Sequence, residues 1–118
     1  MTTVLTKTIP QLQSAQVDIN IHVSAQLNIT PFVARRKVNS LLLNAVGTGL
    51  GSDEPTLVIE HDNLHWRVPV FLALPPHGRL GQVGQIDVDA QTGEVLADAQ
   101  LLQEIANHAE RLVAGSSL

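Results

Sequence analysis

A hairpin pattern near the C-terminal end constrains the fold of this 118-residue chain more than any other segment. Residues 82 to 96 alternate in character on either side of a turn that closes at Gly93. A glycine reaches the positive φ of a tight turn without steric cost, so Gly93 is predicted to adopt one. The pattern therefore predicts two antiparallel strands, with Asp87 and Asp89 on one solvated face of a sheet.

Periodicity elsewhere in the chain predicts further strands and two helices. Residues 17–23 alternate strictly between apolar and polar side chains, as a half-buried strand does, and 56–60 and 64–74 are predicted as strands too. Thr30-Pro31 has the composition of a helix start, and the glycines at 47–51 that of its end. A second amphipathic helix is predicted to begin after Asp98 and to end at Gly115.

These elements predict one α+β domain over residues 15–118, preceded by an N-terminal arm at 1–14 that includes a short edge strand at 3–9. The expected architecture is an antiparallel sheet of four to five strands with two helices packed on one face. Trp66 is expected to be a core anchor. Pro69 has no amide hydrogen to donate, so its strand is predicted to lie at an edge there or to carry a bulge.

Composition excludes several classes of function. No cysteine is present, which removes disulfides, thiolate nucleophiles and thiolate metal sites. Aromatic residues make up 3% of the chain, too few for a base-stacking platform, and the net charge of −4 argues against a nucleic-acid partner. We see neither a signal peptide nor a membrane span in the sequence, so we expect no membrane contact and a cytoplasmic location.

The scarcity of charge favours self-association. Only 15% of the residues are charged, against about 25% in a typical soluble protein. Part of the surface must then be uncharged, and the edges of a sheet also need covering. The sequence therefore predicts a homodimer.

Two groups of residues offer candidate metal ligands. His61 and His65 flank a turn and form a conceivable half-site, but a metal site needs three or four protein ligands. Asp87 and Asp89 resemble the start of a calcium loop, yet the glycine falls at the wrong position and the flanks alternate like strands. Both groups are also what a surface turn and a solvated sheet face would contain without any metal. We therefore expect no cofactor.

The densest basic segment is Arg35-Arg36-Lys37, in the second turn of the first predicted helix. One interpretation is a solvated helix face. The functional interpretation is a partner-binding patch that contacts an acidic surface of another protein or a phosphate. Three cations release too few counterions for strong nucleic-acid binding.

The order helix, strand, long strand and then Ile86-Asp-Val-Asp-Ala-Gln-Thr-Gly-Glu-Val95 resembles a PepSY-type module over residues 31–97. The resemblance implies a helix against an antiparallel sheet and a non-catalytic binding or inhibitory role. It transfers no functional residue to this chain.

No arrangement of nucleophile, base and orienting group is visible, so an enzyme is not expected. The sequence favours a non-catalytic interaction module with an unknown protein partner, for example a regulatory or antitoxin-like subunit. The alternative is a metal- or small-ligand-binding protein. An enzyme with its site across a dimer interface is a third possibility.

Overall fold

The computed structural model describes residue 18 and residues 26–75 and 77–115. The predicted arm at 1–14, the edge strand at 3–9 and all but residue 18 of the strand at 17–23 lie outside the described residues. Within them the chain is an α+β fold, as predicted. The elements are α1 (Pro31–Ala45), β1 (Leu50–Ser52), β2 (Thr56–Glu60), β3 (Asn63–Leu74), β4 (Gly78–Asp89), β5 (Val95–Leu96) and α2 (Ala99–Gly115).

The strands of the described ranges form one antiparallel sheet of five, as predicted, with β3 at its centre. On one side of β3, β1 pairs with residues 70–72 and β2 with residues 63–67. On the other side β4 pairs along nearly the whole of β3, and the short β5 continues beyond β4. β3 therefore holds the sheet together, because it pairs with three of the other four strands.

Pro69 lies in the central strand, so the prediction that it marks an edge is wrong. On the side of β1 and β2, Pro69 falls in the gap between the two strands, where its carbonyl accepts from the amide of Asp53 at 3.0 Å. The amide and the carbonyl of one strand residue point to the same side of the strand. An amide hydrogen at position 69 would therefore point into this gap, where neither β1 nor β2 has a residue paired with position 69, so proline costs the sheet no ladder hydrogen bond there. The register with β4 shifts one residue later, between Val70 and Phe71, consistent with the predicted bulge.

One face of the sheet belongs to the hydrophobic core. The buried cluster combines residues of α1, of the sheet and of α2: Ala34, Val38, Leu42, Val68, Val70, Leu72, Val83, Ile86, Val88 and Ile105. Trp66 is only partly buried and packs against this cluster. Its indole Nε1 donates to the carbonyl of Ile29 at 2.7 Å, which ties β3 to the residues before α1.

The ends of both helices follow from local chemistry. The Thr30 hydroxyl accepts from the amide of Val33 at 3.1 Å, and proline occupies the first turn of α1, as predicted. The helix ends at Ala45, and Gly47 follows with a φ of 147°. The carboxylate of Asp98 caps α2 by accepting from the amide of Leu101 at 2.8 Å. In the described ranges neither helix combines the length and apolar character needed to cross a membrane.

The turn between β4 and β5 contacts the segment that precedes α1. The Ala90 carbonyl accepts from the amides of Asn28 and Ile29 at 3.0 and 3.1 Å. Gly93 has a φ of 82°, which confirms the predicted positive value. A Cβ added to Gly93 would lie 2.9 Å from Cδ1 of Ile29, so the end of that side chain would have to shift, and the positive φ is the stronger reason for glycine.

Candidate interaction surface

The three cations of the predicted partner-binding patch do not form one patch. The Arg35 guanidinium donates to the backbone carbonyl of Ser52 at 2.8 Å and to its hydroxyl at 3.3 Å, and Ser52 is buried. A carboxylate oxygen of Glu54 lies 3.7 Å from Arg35. Arg35 therefore connects α1 to β1 and to the residues that follow it.

Lys37 lies on the opposite flank of the helix. Its Nζ is 3.4 Å from the position that a Cβ on Gly93 would occupy, beside the β4–β5 turn. Arg36 lies between these two flanks and is exposed, and among the described residues it contacts neither β1 nor the β4–β5 turn. Instead its guanidinium carbon lies 5.8 Å from the centroid of the Phe32 ring, within the range of a cation–π contact.

Arg36 belongs to a row of exposed residues on the side of α1 that faces away from the core. Positions 32, 36, 39 and 43 follow the i, i+4, i+7, i+11 spacing that places side chains on one helix face. We call this row, Phe32, Arg36, Asn39 and Leu43, the outer stripe. Phe32 is 67% exposed and Leu43 is 61% exposed. The outer stripe thus leaves two large apolar side chains uncovered, three helical turns apart and with a cation between them.

Charge is segregated on α1. The helix carries three of the seven Lys and Arg residues of the chain and no Asp or Glu, although the whole chain has a net charge of −4. Of these three cations only Arg36 belongs to the outer stripe, which therefore carries one positive charge between two exposed apolar side chains. Phe32, Asn39 and Leu43 were not singled out as site residues from the sequence, although the same helical spacing that marks the buried row Ala34, Val38 and Leu42 would have shown them.

The candidate metal ligands His61 and His65 have different environments. His61 is exposed in the β2–β3 turn with a φ of 48°, whereas His65 is 8% exposed in β3. Carboxylate oxygens of Glu60 and Asp87 lie 3.6 and 4.0 Å from Nε2 of His65, which is buried and has no hydrogen-bond partner within the described part of the chain. Among the described residues, no group of three or more His, Cys, Asp or Glu has an arrangement that could hold a metal ion.

Asp87 is engaged by an arginine that the sequence analysis did not assign to it. Arg67 lies opposite Asp87 in the β3–β4 register, and its Nε and a terminal nitrogen each donate to one carboxylate oxygen at 3.0 Å. The hydrogen bond to Asp87 raises the pKa of Arg67 above its usual value. The side chain of Asp87 is only 23% exposed, so the expectation that it is a solvated sheet-face residue is wrong.

Asp89 organises the β4–β5 turn. One oxygen of its carboxylate accepts from the amides of Gln91 and Thr92, both at 2.8 Å. These hydrogen bonds from Thr92 and then Gln91 lower the pKa of Asp89 below its usual value. Asp89 is therefore a turn-forming residue, and this role accounts for its place in the sequence motif without a bound calcium ion.

An apolar cleft of about 410 Å³ lies between the end of α1 and the second half of α2. Its volume is in the range of small-molecule sites. Among the described residues of its wall, Glu110 is the one charged side chain, so these residues offer few groups that could orient a polar ligand. The wall also contains Val46, Gly47, Thr48, Leu50, Leu72, Leu74, Ala106, Ala109, Val113 and Ala114.

Comparison with known proteins gives no relative: no protein-family model, no curated protein and no solved structure matches this chain. The resemblance to PepSY-type modules therefore stays a prediction.

We predict that Arg67 and Asp87 are coupled in stability. Arg67→Ala leaves a half-buried carboxylate without its partner and should lower the free energy of unfolding by about 1–3 kcal/mol. The double variant with Asp87→Ala should lose less than the sum of the two single changes, with a coupling of about 1 kcal/mol or more. Urea denaturation of the four proteins measures this coupling.

Arg79 and Asp53 provide the matched control for this cycle. They form a comparable ion pair at 2.9 Å, but their side chains are 55% and 51% exposed. Solvent screening should keep their coupling below about 1 kcal/mol. Equal coupling energies in the two cycles would contradict this prediction, because solvent would then screen the Arg67–Asp87 pair as strongly as the exposed pair.

We also predict a pH dependence that originates at Asp89. The pKa of Asp89 is lower in the folded chain than its usual value of 3.8, so its stabilising effect is fully present only at pH values well above that usual value. That effect is lost as the pH falls through the lower folded value, because the protonated group accepts poorly. Asp89→Ala should be less stable than wild type at neutral pH, and the gap should narrow towards about pH 2. Denaturation at a series of pH values measures the gap.

Asp89→Asn is the control, because it keeps an acceptor oxygen and removes the charge. It should retain more stability at neutral pH than Asp89→Ala. A gap between wild type and Asp89→Ala that stays constant down to low pH would contradict the assignment.

Proposed function

We propose that this chain is a non-catalytic protein-interaction module, a regulatory subunit whose contact surface is the outer stripe of α1. The observation that carries the proposal is the exposure of Phe32 and Leu43 on either side of Arg36 along one helix face. Burying such side chains against a partner would remove apolar surface from water, which is the main driving force of protein association.

The placement of α1 supports this role. Arg35 and Ile29 hold the helix to β1 and to the β4–β5 turn, so the outer stripe is fixed in orientation before any partner arrives. A rigid surface loses less conformational entropy on binding than a flexible one. A regulatory subunit of the antitoxin-like kind needs no more than such a surface.

Self-association is a separate part of the proposal. The outer side of β2 pairs with no other strand among the described residues, and Leu57 on this strand is 37% exposed. The edge of β4 is less suited to pairing, because its register shifts twice against β3 and such irregularities discourage strand addition. We therefore propose β2 as the edge through which a homodimer would form.

Small-ligand binding is the rival function, and the apolar cleft beside α2 is the observation that favours it. The cleft has the volume for a ligand, but its wall supplies few polar groups to give specificity. The outer stripe combines apolar and charged groups, so we place the function there.

Site-specific photo-crosslinking in cells tests the proposal. A photoreactive amino acid at position 39, in the middle of the outer stripe, should form an adduct with a protein of different sequence. The matched position is 107, where Asn107 is exposed on α2 and should give no such adduct. Mass spectrometry of the adducts distinguishes a foreign protein from a second copy of this chain.

Arg36→Glu should reduce the adduct at position 39, because reversed charge in the stripe repels an acidic partner. Arg36 points away from the buried row of α1, so the variant should keep its circular dichroism spectrum. The control Arg111→Glu reverses an exposed charge on α2 and should leave the adduct unchanged. Equal adducts at positions 39 and 107, or none at position 39, would refute the assignment of the function to α1.

A further inference from the structure

We infer that the partner of the outer stripe is an acidic amphipathic helix of another protein. This inference rests on the proposed function and specifies its partner. Phe32 and Leu43 are 11 positions apart on α1, which corresponds to about 16 Å along the helix axis. A partner that contacts both must present two apolar groups at this distance with carboxylates between them.

A helix satisfies this spacing with its own periodicity. Apolar residues at positions i and i+11 of the partner would meet Phe32 and Leu43, and acidic residues at i+4 and i+7 would lie near Arg36 and Asn39. Helices packed side by side at a shallow angle keep such rows in register over three turns. The same rows would serve in either orientation of the partner, because the apolar groups are at both ends.

Charge selects the partner and argues against a second copy of α1. α1 has no Asp or Glu, so two copies packed through their outer stripes would place the two Arg36 guanidinium groups in one contact without a carboxylate to pair with either. Like charges in a desolvated contact are costly. An acidic helix removes this repulsion and pairs with a guanidinium that already contacts the Phe32 ring.

A lipid surface fits the stripe less well than a helix does. Membrane-bound amphipathic helices insert a broad apolar face, with several cations beside it. The apolar row of α1, Ala34, Val38 and Leu42, is buried in the core and is not available for insertion. Only Phe32 and Leu43 remain exposed as large apolar groups on this helix.

A designed peptide provides the direct test. The probe is a helical peptide with Leu at i and i+11 and Glu at i+4 and i+7, and the control peptide carries Lys in place of both Glu residues. Titration into the full chain, followed by amide chemical shifts, should move signals of residues 32–43 with the Glu peptide. Arg36→Glu should weaken this binding about tenfold or more, and the Lys peptide should bind at least tenfold more weakly to wild type.

Arg111→Glu is the control variant and should bind the Glu peptide as wild type does. Equal affinity for the two peptides, or shifts confined to other elements, would overturn the acidic-helix inference. So would Arg36-dependent binding to vesicles of phosphatidylcholine and phosphatidylserine without any binding of the Glu peptide, since this would identify a lipid surface as the occupant. If the peptide fails while the adduct at position 39 forms, α1 is still the contact surface and only its partner chemistry is wrong.

Discussion

The position of α1 depends on two residues that are held between the β4–β5 turn and the central strand. The amides of Asn28 and Ile29 donate to the carbonyl of Ala90, and the carbonyl of Ile29 accepts from the indole of Trp66. These backbone groups precede the helix and would otherwise need water or another partner. Three hydrogen bonds therefore fix where the helix begins relative to the sheet.

A second contact fixes how the helix is rotated. Arg35 reaches the backbone of Ser52 on β1, while Ala34 and Val38 enter the core. With one side of the helix held by β1 and another by the core, the remaining side presents Arg36 and the rest of the outer stripe. The same short basic segment thus supplies a structural contact and a surface cation, and the fold separates the two roles.

Much of the fold could be predicted from the sequence, because its signals are local. Thr30 and Asp98 mark helix starts through their own side chains, and Gly93 marks the turn through its backbone freedom. The candidate site was harder to predict, because Arg35 and Arg36 are adjacent and chemically identical. Which one faces β1 is decided by the packing of the helix, and the pairing of Arg67 with Asp87 depends on strand register across 20 residues of chain. The edge alternative for Pro69 failed for the same reason, since a central strand can accommodate proline where two shorter neighbours leave a gap.

Hydrogen exchange at Asn28 and Ile29 tests most directly whether α1 is held in this position. Both residues precede the helix, and an unattached segment would exchange its amide hydrogens at the rate of an unfolded chain. If the carbonyl of Ala90 holds them as described, both amides should be protected to nearly the same degree as those of Val38 and Leu42 in the middle of α1. Exchange of both amides at the unprotected rate, with the helix itself still protected, would contradict the account, because the orientation of the outer stripe would then not be fixed by the turn.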